Sequence, residues 1–216
     1  MKSFVKIIKY EWRTTWKNFI PDLCDASKSN QNLCENNFFI LKMLSEEIFE
    51  FSKNQMTSSQ IKELKQQMFE DFKTIFDLCY MVLQTFAQNP QGIKLSLIKS
   101  CLETLYAFLS WIPLFFIFSS NLIEIALLPL IDHNHFRNLT IKCLTEIVLI
   151  PITLTNEEEA RQSKEKILVL FSNFVQKIHT IVPCDISLLN ERAKISKATP
   201  KNLTSFDFLC QVFEIL

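Results

Sequence analysis

Gly92 is the only glycine in this chain of 216 residues, where an average protein carries about 7%. A polypeptide so poor in glycine has almost no residue that takes a positive φ without strain, or that lets a phosphate or second backbone approach closely. Phosphate-cradling loops, dinucleotide fingerprints and two-residue type I′ hairpins all need such residues. An enzyme built on a P-loop or a doubly wound sheet is therefore not expected. Helices satisfy their backbone groups within the segment, and the rest of the sequence points to them.

The apolar residues repeat with helical period. From Thr57, the positions Ile61, Leu64, Met68, Phe72, Ile75, Cys79, Val82 and Phe86 alternate steps of three and four, beside a second stripe of Phe69, Phe76 and Leu83. Thr57 and Gln60 form a capping box, and Asn89-Pro90 closes a helix of roughly 30 residues. Cys34, Leu41, Leu44, Ile48 and Phe51 line another helix, starting near Ser29, and Ile98, Leu102, Leu105, Leu109 and Ile112 a third, ending at Pro113. Ile141, Leu144 and Val148 mark a short helix stopped by Pro151. Thr155 and Glu158 cap a helix carrying Ile167, Leu170, Phe174, Ile178 and Ile181, with Glu157, Glu158 and Glu159 at the positive end of its dipole. A last helix from Lys201 carries Leu203, Phe206, Leu209, Val212, Phe213 and Leu216. No segment reads as a strand.

These helices group in pairs that begin near residues 11, 57, 114 and 156, intervals close to the roughly 40–47-residue period of HEAT hairpins. A hairpin with apolar stripes on two sides cannot bury both alone, so it must stack on its neighbours. The expected architecture is an all-α α-solenoid of stacked HEAT-type helical hairpins. Residues 1–150 form one run of repeats, and 151–216 continue it around a polar interhelix loop at about 183–200. Phe4, Ile7 and Ile8 have no preceding partner stripe and Leu216 falls within a helix. Both ends thus read as cut from a longer array, because a solenoid closes with polar capping repeats.

Charge and cysteine usage narrow the function classes. The 23 basic and 23 acidic side chains leave no net charge, and no basic footprint for direct nucleic-acid binding. The seven cysteines are odd in number, lack C-x-x-C spacing and sit mostly in apolar helical runs, so they read as buried free thiols of a reducing compartment. The N-terminus, interrupted by Lys2 and Lys6, is no signal peptide, and the sequons at Asn138 and Asn202 are chance matches. From Leu105 to Ile131 the only charge is Glu124, and about 20 apolar residues span a bilayer. Pro113 and the Ser119-Ser120-Asn121 interruption divide that run, and Asn121 with Glu124 resembles a capping box opening a second short helix. A buried solenoid interior is the expectation, and a membrane span over 105–131 the distant alternative. Asp132-His133-Asn134-His135 has metal-ligand types without a third strong ligand, so no metal or other cofactor is expected. His179 suits the end of its helix dipole. No nucleophile–base set can be argued from spacing, so the chain is not read as an enzyme.

The residues also carry a family resemblance. Tyr10-Glu11-Trp12-Arg13-Thr14-Thr15-Trp16-Lys17-Asn18-Phe19-Ile20 resembles the Glu-Trp-Pro…Trp-Pro…Phe-Ile signature of exportins in the importin-β (karyopherin) superfamily. Arg13 and Lys17 replace the two prolines. Trp12 and Trp16 remain as expected core anchors, while the residues that set the usual bend are gone. Three further blocks, Leu33–Asn37 with Ile40–Phe49, Leu102–Leu105 with Phe108–Leu114, and Phe136–Ile147, are similar to the exportin-1 branch, receptors for leucine-rich nuclear export signals. The likeness covers residues 1 to about 150 well and continues weakly to 216.

The resemblance implies a right-handed ring of HEAT hairpins, of which this chain is a fragment, that carries cargo through nuclear pores together with Ran-GTP. It implies shuttling between nucleus and cytoplasm, contact with Phe-Gly pore proteins and no membrane insertion. The family's cargo groove lies further along its sequence and much of the first Ran-contacting surface lies before residue 1, so no groove residue is carried over. In exportins the second helix of each hairpin faces the inside of the ring. The partner-binding candidates are therefore Glu35, Lys42, Glu46 and Glu47 on one such helix and Lys142 and Glu146 on another. The competing reading is a solvated face tied by (i, i+4) ion pairs worth about 0.2–0.5 kcal/mol each. Trp12, Trp16 and Trp111 are the candidates for pore-protein contact, against core packing. Another importin-β-superfamily receptor or a helical scaffold remains the alternative function.

Overall fold

The computed structural model describes residues 11, 15–54, 58–109, 114–149 and 157–181. Among them every regular element is helical. The helices are α1 (Phe19–Ser27), α2 (Gln31–Asn54), α3 (Ser58–Gln88), α4 (Leu95–Leu109), α5 (Leu114–Ser119), α6 (Leu128–Leu130), α7 (Arg137–Leu149) and α8 (Glu157–Ile181). A 3-10 turn at Pro90–Gly92 joins α3 to α4, and a π-helix at Leu122–Leu127 precedes α6. The chain divides into two compact units, residues 1–126 and 127–216.

The first unit contains two helical hairpins, α1/α2 and α3/α4. The bend before α1 forms without proline: the N–H groups of Thr15 and Trp16 both donate to Glu11 O, and Phe19 N–H donates to Trp16 O. Trp16 is not the core anchor expected. It is 49% exposed, its Nε1 donates to Asp22 Oδ2 at 2.9 Å, and its ring meets Phe19 edge-on at 4.9 Å. It braces the start of α1 from outside while Phe19 and Ile20 enter the core. Trp12 and Trp111 lie outside the described residues. Helix α2 starts just after the expected Ser29, because Asn30 Oδ1 accepts the N–H groups of Asn32 (2.7 Å) and Leu33 (3.4 Å), an N-cap that satisfies two orphan donors.

Helix α3, 31 residues long, matches the long periodic run, and Phe72, Ile75, Phe76, Leu78, Cys79, Val82, Leu83 and Phe86 are all buried. The capping Thr57 lies outside the described residues. The chain reverses into α4, whose Ile98, Leu102, Leu105 and Phe108 are at most 1% exposed. Phe72 meets Phe108 at 6.2 Å and Cys101 Sγ donates to Cys79 O at 3.6 Å. Moving seven residues along α3 thus moves seven back along α4, the signature of an antiparallel hairpin. Gly92, in the connecting turn, lies outside the left-handed region; an added Cβ there would stand 2.8 Å from Asn89 Nδ2. Its value is room for a neighbouring side chain, which explains how one glycine suffices.

The apolar run from Leu105 to Ile131 is cut into pieces. Ser120 Oγ donates to Ile117 O (2.9 Å) and accepts Leu122 N–H (3.3 Å), so Ser120, rather than the expected Asn121, ends α5 and starts the next turn. That turn opens as a π-helix with Leu122 and Ile123 buried and Glu124 exposed. No helix among the described residues is long and apolar enough to cross a membrane.

In the second unit, Arg137 Nε donates to Ile131 O at 2.9 Å and orders the loop into α7. Ile141, Cys143, Leu144 and Ile147 form the buried side of α7, and Thr140 lies among them with a hydroxyl that has no partner. Helix α8 buries Leu170 and Phe174 on the expected stripe, leaves Leu168 and Val169 exposed, and is tied to the loop by Lys177 Nζ to Asp132 Oδ2 at 2.6 Å. His133 and His135 are exposed. The expected polar loop at 183–200 and the helix from Lys201 lie outside the described residues.

Candidate functional site

The second helices of the two hairpins, α2 and α4, lie side by side and form the most extensive helix pair of the first unit. All but one of the bonded pairs along this seam, the exception being Thr104 with Phe38, keep a nearly constant separation in sequence, as expected when two helices run parallel with equal rise. Glu35 Oε2 accepts from Ser96 Oγ at 3.1 Å and Lys42 Nζ pairs with Glu103 Oε2 at 2.9 Å, each pair 61 residues apart. Ser45 Oγ donates to Ala107 O at 2.9 Å, 62 residues on. Thr104 Oγ1 shares its proton between Phe38 O across the seam (2.9 Å) and Ser100 O in its own helix (2.8 Å). At the turn end, Gln31 donates through Nε2 to Gly92 O (2.8 Å) and accepts Lys94 N–H at Oε1 (3.1 Å). Lys94 Nζ also reaches Asn32 Oδ1.

This geometry sorts the sequence candidates. Glu35 and Lys42 are held between helices, not by ties along α2. Lys42 and Glu103 are only 28% and 31% exposed, and Lys99 approaches the other carboxylate oxygen of Glu103 at 3.9 Å. Glu46 is exposed and Glu47 half-buried on the same helix. Lys142 is exposed and Glu146 half-buried on α7, in the second unit. Helical spacing places Asn36, Phe39 and Glu46 of α2 and Lys99 and Tyr106 of α4 along the outside of the seam, where Phe39 is 45% and Tyr106 38% exposed. Sequence reasoning missed Gln31, Ser45, Lys94, Ser96 and Glu103. Their signal is the repeated 61-residue spacing of complementary pairs, Glu35 with Ser96 and Lys42 with Glu103.

Beneath the seam, each of the four helices contributes one buried thiol: Cys24, Cys34, Cys79 and Cys101. Burial, reinforced by neighbouring Cys79, pushes Cys24 and Cys34 each up to about 12 from 9.0. Such thiols stay protonated and are neither nucleophiles nor ready ligands. Their linkage has a definite sign. The native state holds these protons more tightly than the unfolded chain, so the stabilisation is complete below pH 9 and is lost as pH rises from 9 toward 12. Urea titrations at stepped pH should show an unfolding midpoint that falls across that window. The Cys24→Ala, Cys34→Ala double variant should show a shallower fall.

An open cleft of about 290 Å³, lined by Lys28, Asn30, Gln31, Cys34, Met81 and Thr85 among others, lies where the α1–α2 turn faces the end of α3. Its polar rim is already engaged: Lys28 pairs with Asp25 at 2.7 Å, Asn30 caps α2 and Gln31 clamps the next turn. Among the described residues no group of three or more His, Cys, Asp or Glu side chains could hold a metal ion. What remains at the site is an exposed polar and aromatic face on paired helices.

Comparison with known proteins identifies related chains. The family described as exportin 1-like protein matches residues 2–144. The chain is 42% identical over 181 residues to Exportin-1 of Schizosaccharomyces pombe, covering 84% of this chain and 16% of that protein. It is 46% identical over 146 residues to Protein EXPORTIN 1A of Arabidopsis thaliana, covering 68% of this chain and 13% of that protein. With Exportin-1 of Drosophila melanogaster the identity is 44% over 155 residues, 72% of this chain and 14% of that protein. The matched region is therefore about a sixth or less of the length of these relatives. Stacked all-α hairpins and sequence likeness meet in one conclusion: the chain belongs to the exportin 1-like family.

Proposed function

We propose that this chain works as part of a nuclear export receptor, which carries leucine-rich-signal cargo through nuclear pores together with Ran-GTP. The observation that carries the proposal is the 40–46% identity to named exportins over two thirds or more of the chain, joined to an exposed polar and aromatic helix face. The role is non-enzymatic: a scaffold that presents a partner-facing surface and shuttles between nucleus and cytoplasm with the whole receptor. On α2 the partner-facing candidates are Glu46, with Phe39 two turns before it, and on α7 Lys142, because these side chains are exposed. Glu35 and Lys42 support the α2 face from within the seam and Glu47 borders it half-buried, while Glu146 is half-buried on α7. Phe-Gly pore proteins are partners of the same receptor.

Fluorescence polarisation with a labelled leucine-rich export peptide, and surface binding to immobilised Ran loaded with GTP or GDP, test this reading. Residues 1–216 should leave the peptide unbound and bind Ran-GTP weakly but in preference to Ran-GDP. Glu46→Lys should reduce the Ran-GTP signal further. Saturable peptide binding would overturn the placement of the cargo groove outside this segment, and equal binding to both nucleotide forms would overturn the Ran-facing assignment.

A further inference from the structure

We infer that the α2/α4 seam is a register lock, in which Lys42, Glu103 and Gln31 are positioning residues that fix how the second hairpin stacks on the first. Two helices that meet through apolar side chains alone can exchange one ridge-into-groove packing for another by sliding about one turn. Here the ties run from Gln31 to Ser45, about 21 Å of helix, and all follow the same parallel alignment. A one-turn slip would break every one of them at once and leave Thr104, fully buried, with only its bond to Ser100 O in its own helix. Several complementary polar pairs that all meet in one alignment favour that alignment over its neighbours.

The ties have distinct parts. Gln31 satisfies both a carbonyl and an N–H of the α3–α4 connection with one carboxamide, so it fixes where α4 begins. Lys42 with Glu103 fixes the middle, with Glu103 lying between Lys42 and Lys99. Ser45 on Ala107 O fixes the far end. Lys42 therefore acts through α4, and its loss would disturb the outer face by way of Glu103. This inference holds whatever that face binds.

Charge reversal in the 216-residue chain, read by hydrogen–deuterium exchange in the absence of any partner, tests it. Lys42→Glu and Glu103→Lys should each speed exchange of the α4 amides about tenfold, the coupling expected of a half-buried pair in contact. The double reversal should return the rates to within about twofold of the original, which a direct partner contact or a simple loss of helix content would not do. Gln31→Ala, a milder change, should speed exchange selectively at residues 93–97. Singles without effect on α4, a double variant no slower than the singles, or unchanged exchange at 93–97 would each overturn the lock.

Discussion

Phe108→Ala lowers the stability of the hairpin unit by about 3–5 kcal/mol, the loss expected on truncating a fully buried phenylalanine. Phe108 is fully buried and meets Phe72 of the antiparallel partner helix at 6.2 Å with the rings tilted by 45°. Truncation removes the transfer free energy of the ring, the aromatic pair and the dispersion contacts around it, and leaves a cavity. Phe72 across the hairpin and Leu105 one turn back in the same helix are buried at 2% exposure or less, and close packing leaves such neighbours little freedom to fill the gap. At about 2–4 °C per kcal/mol for a chain of this size, the midpoint of thermal unfolding should drop by roughly 10 °C. Leu95→Ala, in the same helix but 51% exposed, is the control and should stay within about 0.5 kcal/mol. Equal losses at the two positions, measured by urea unfolding, would mean that α4 does not bury the face described.

The helices are legible in the sequence because their information is local. The stripes of α3 and α4 and the stop at Asn89-Pro90 follow from spacing within each segment, and Phe72, Ile75, Cys79, Val82 and Phe86 are buried as their period requires. Trp16 departs from its expected place because hydrophobic bulk says nothing about a ring N–H that can bond a nearby carboxylate at the surface. The turn after α5 falls to Ser120 rather than Asn121 because the Ser120 hydroxyl reaches both flanking backbone groups. Glu35, Lys42, Glu46 and Glu47 are recognisable from spacing as one polar helix side. Whether such a side faces water or a neighbouring helix depends on partners 61 residues away, and periodicity within one helix holds no record of them.

The same contrast between local pattern and distant partner makes Asn37 the most revealing polar position. Its neighbours Asn36 and Phe39 are exposed, yet Asn37 is 4% exposed, because α1 folds back over it. Its Nδ2 donates to Leu23 O (3.1 Å) and to Ser27 Oγ (3.0 Å), while Ser27 Oγ donates to the same Leu23 O (2.7 Å). One side-chain amide thus pins the last turn of α1 to the first half of α2. Asn37→Asp keeps the shape but replaces two donor hydrogens with a carboxylate facing two oxygen acceptors. The expected cost at neutral pH is about 3–5 kcal/mol, that of an unpaired buried charge. Burial and oxygen neighbours disfavour the ionised form, so the folded variant holds the proton of the introduced carboxyl more tightly than its unfolded chain does. Relative to the original protein, the variant should be nearest to it below about pH 4 and should lose stability as pH rises through the raised folded value. Asn37→Leu, which brings no charge, should cost about 1–3 kcal/mol with no such pH dependence. Paired urea titrations at pH 4 and pH 7 separate these outcomes. An Asn37→Asp variant as stable as the original at pH 7 would show that α1 does not close over α2 at this point, and the first hairpin would have to be redrawn.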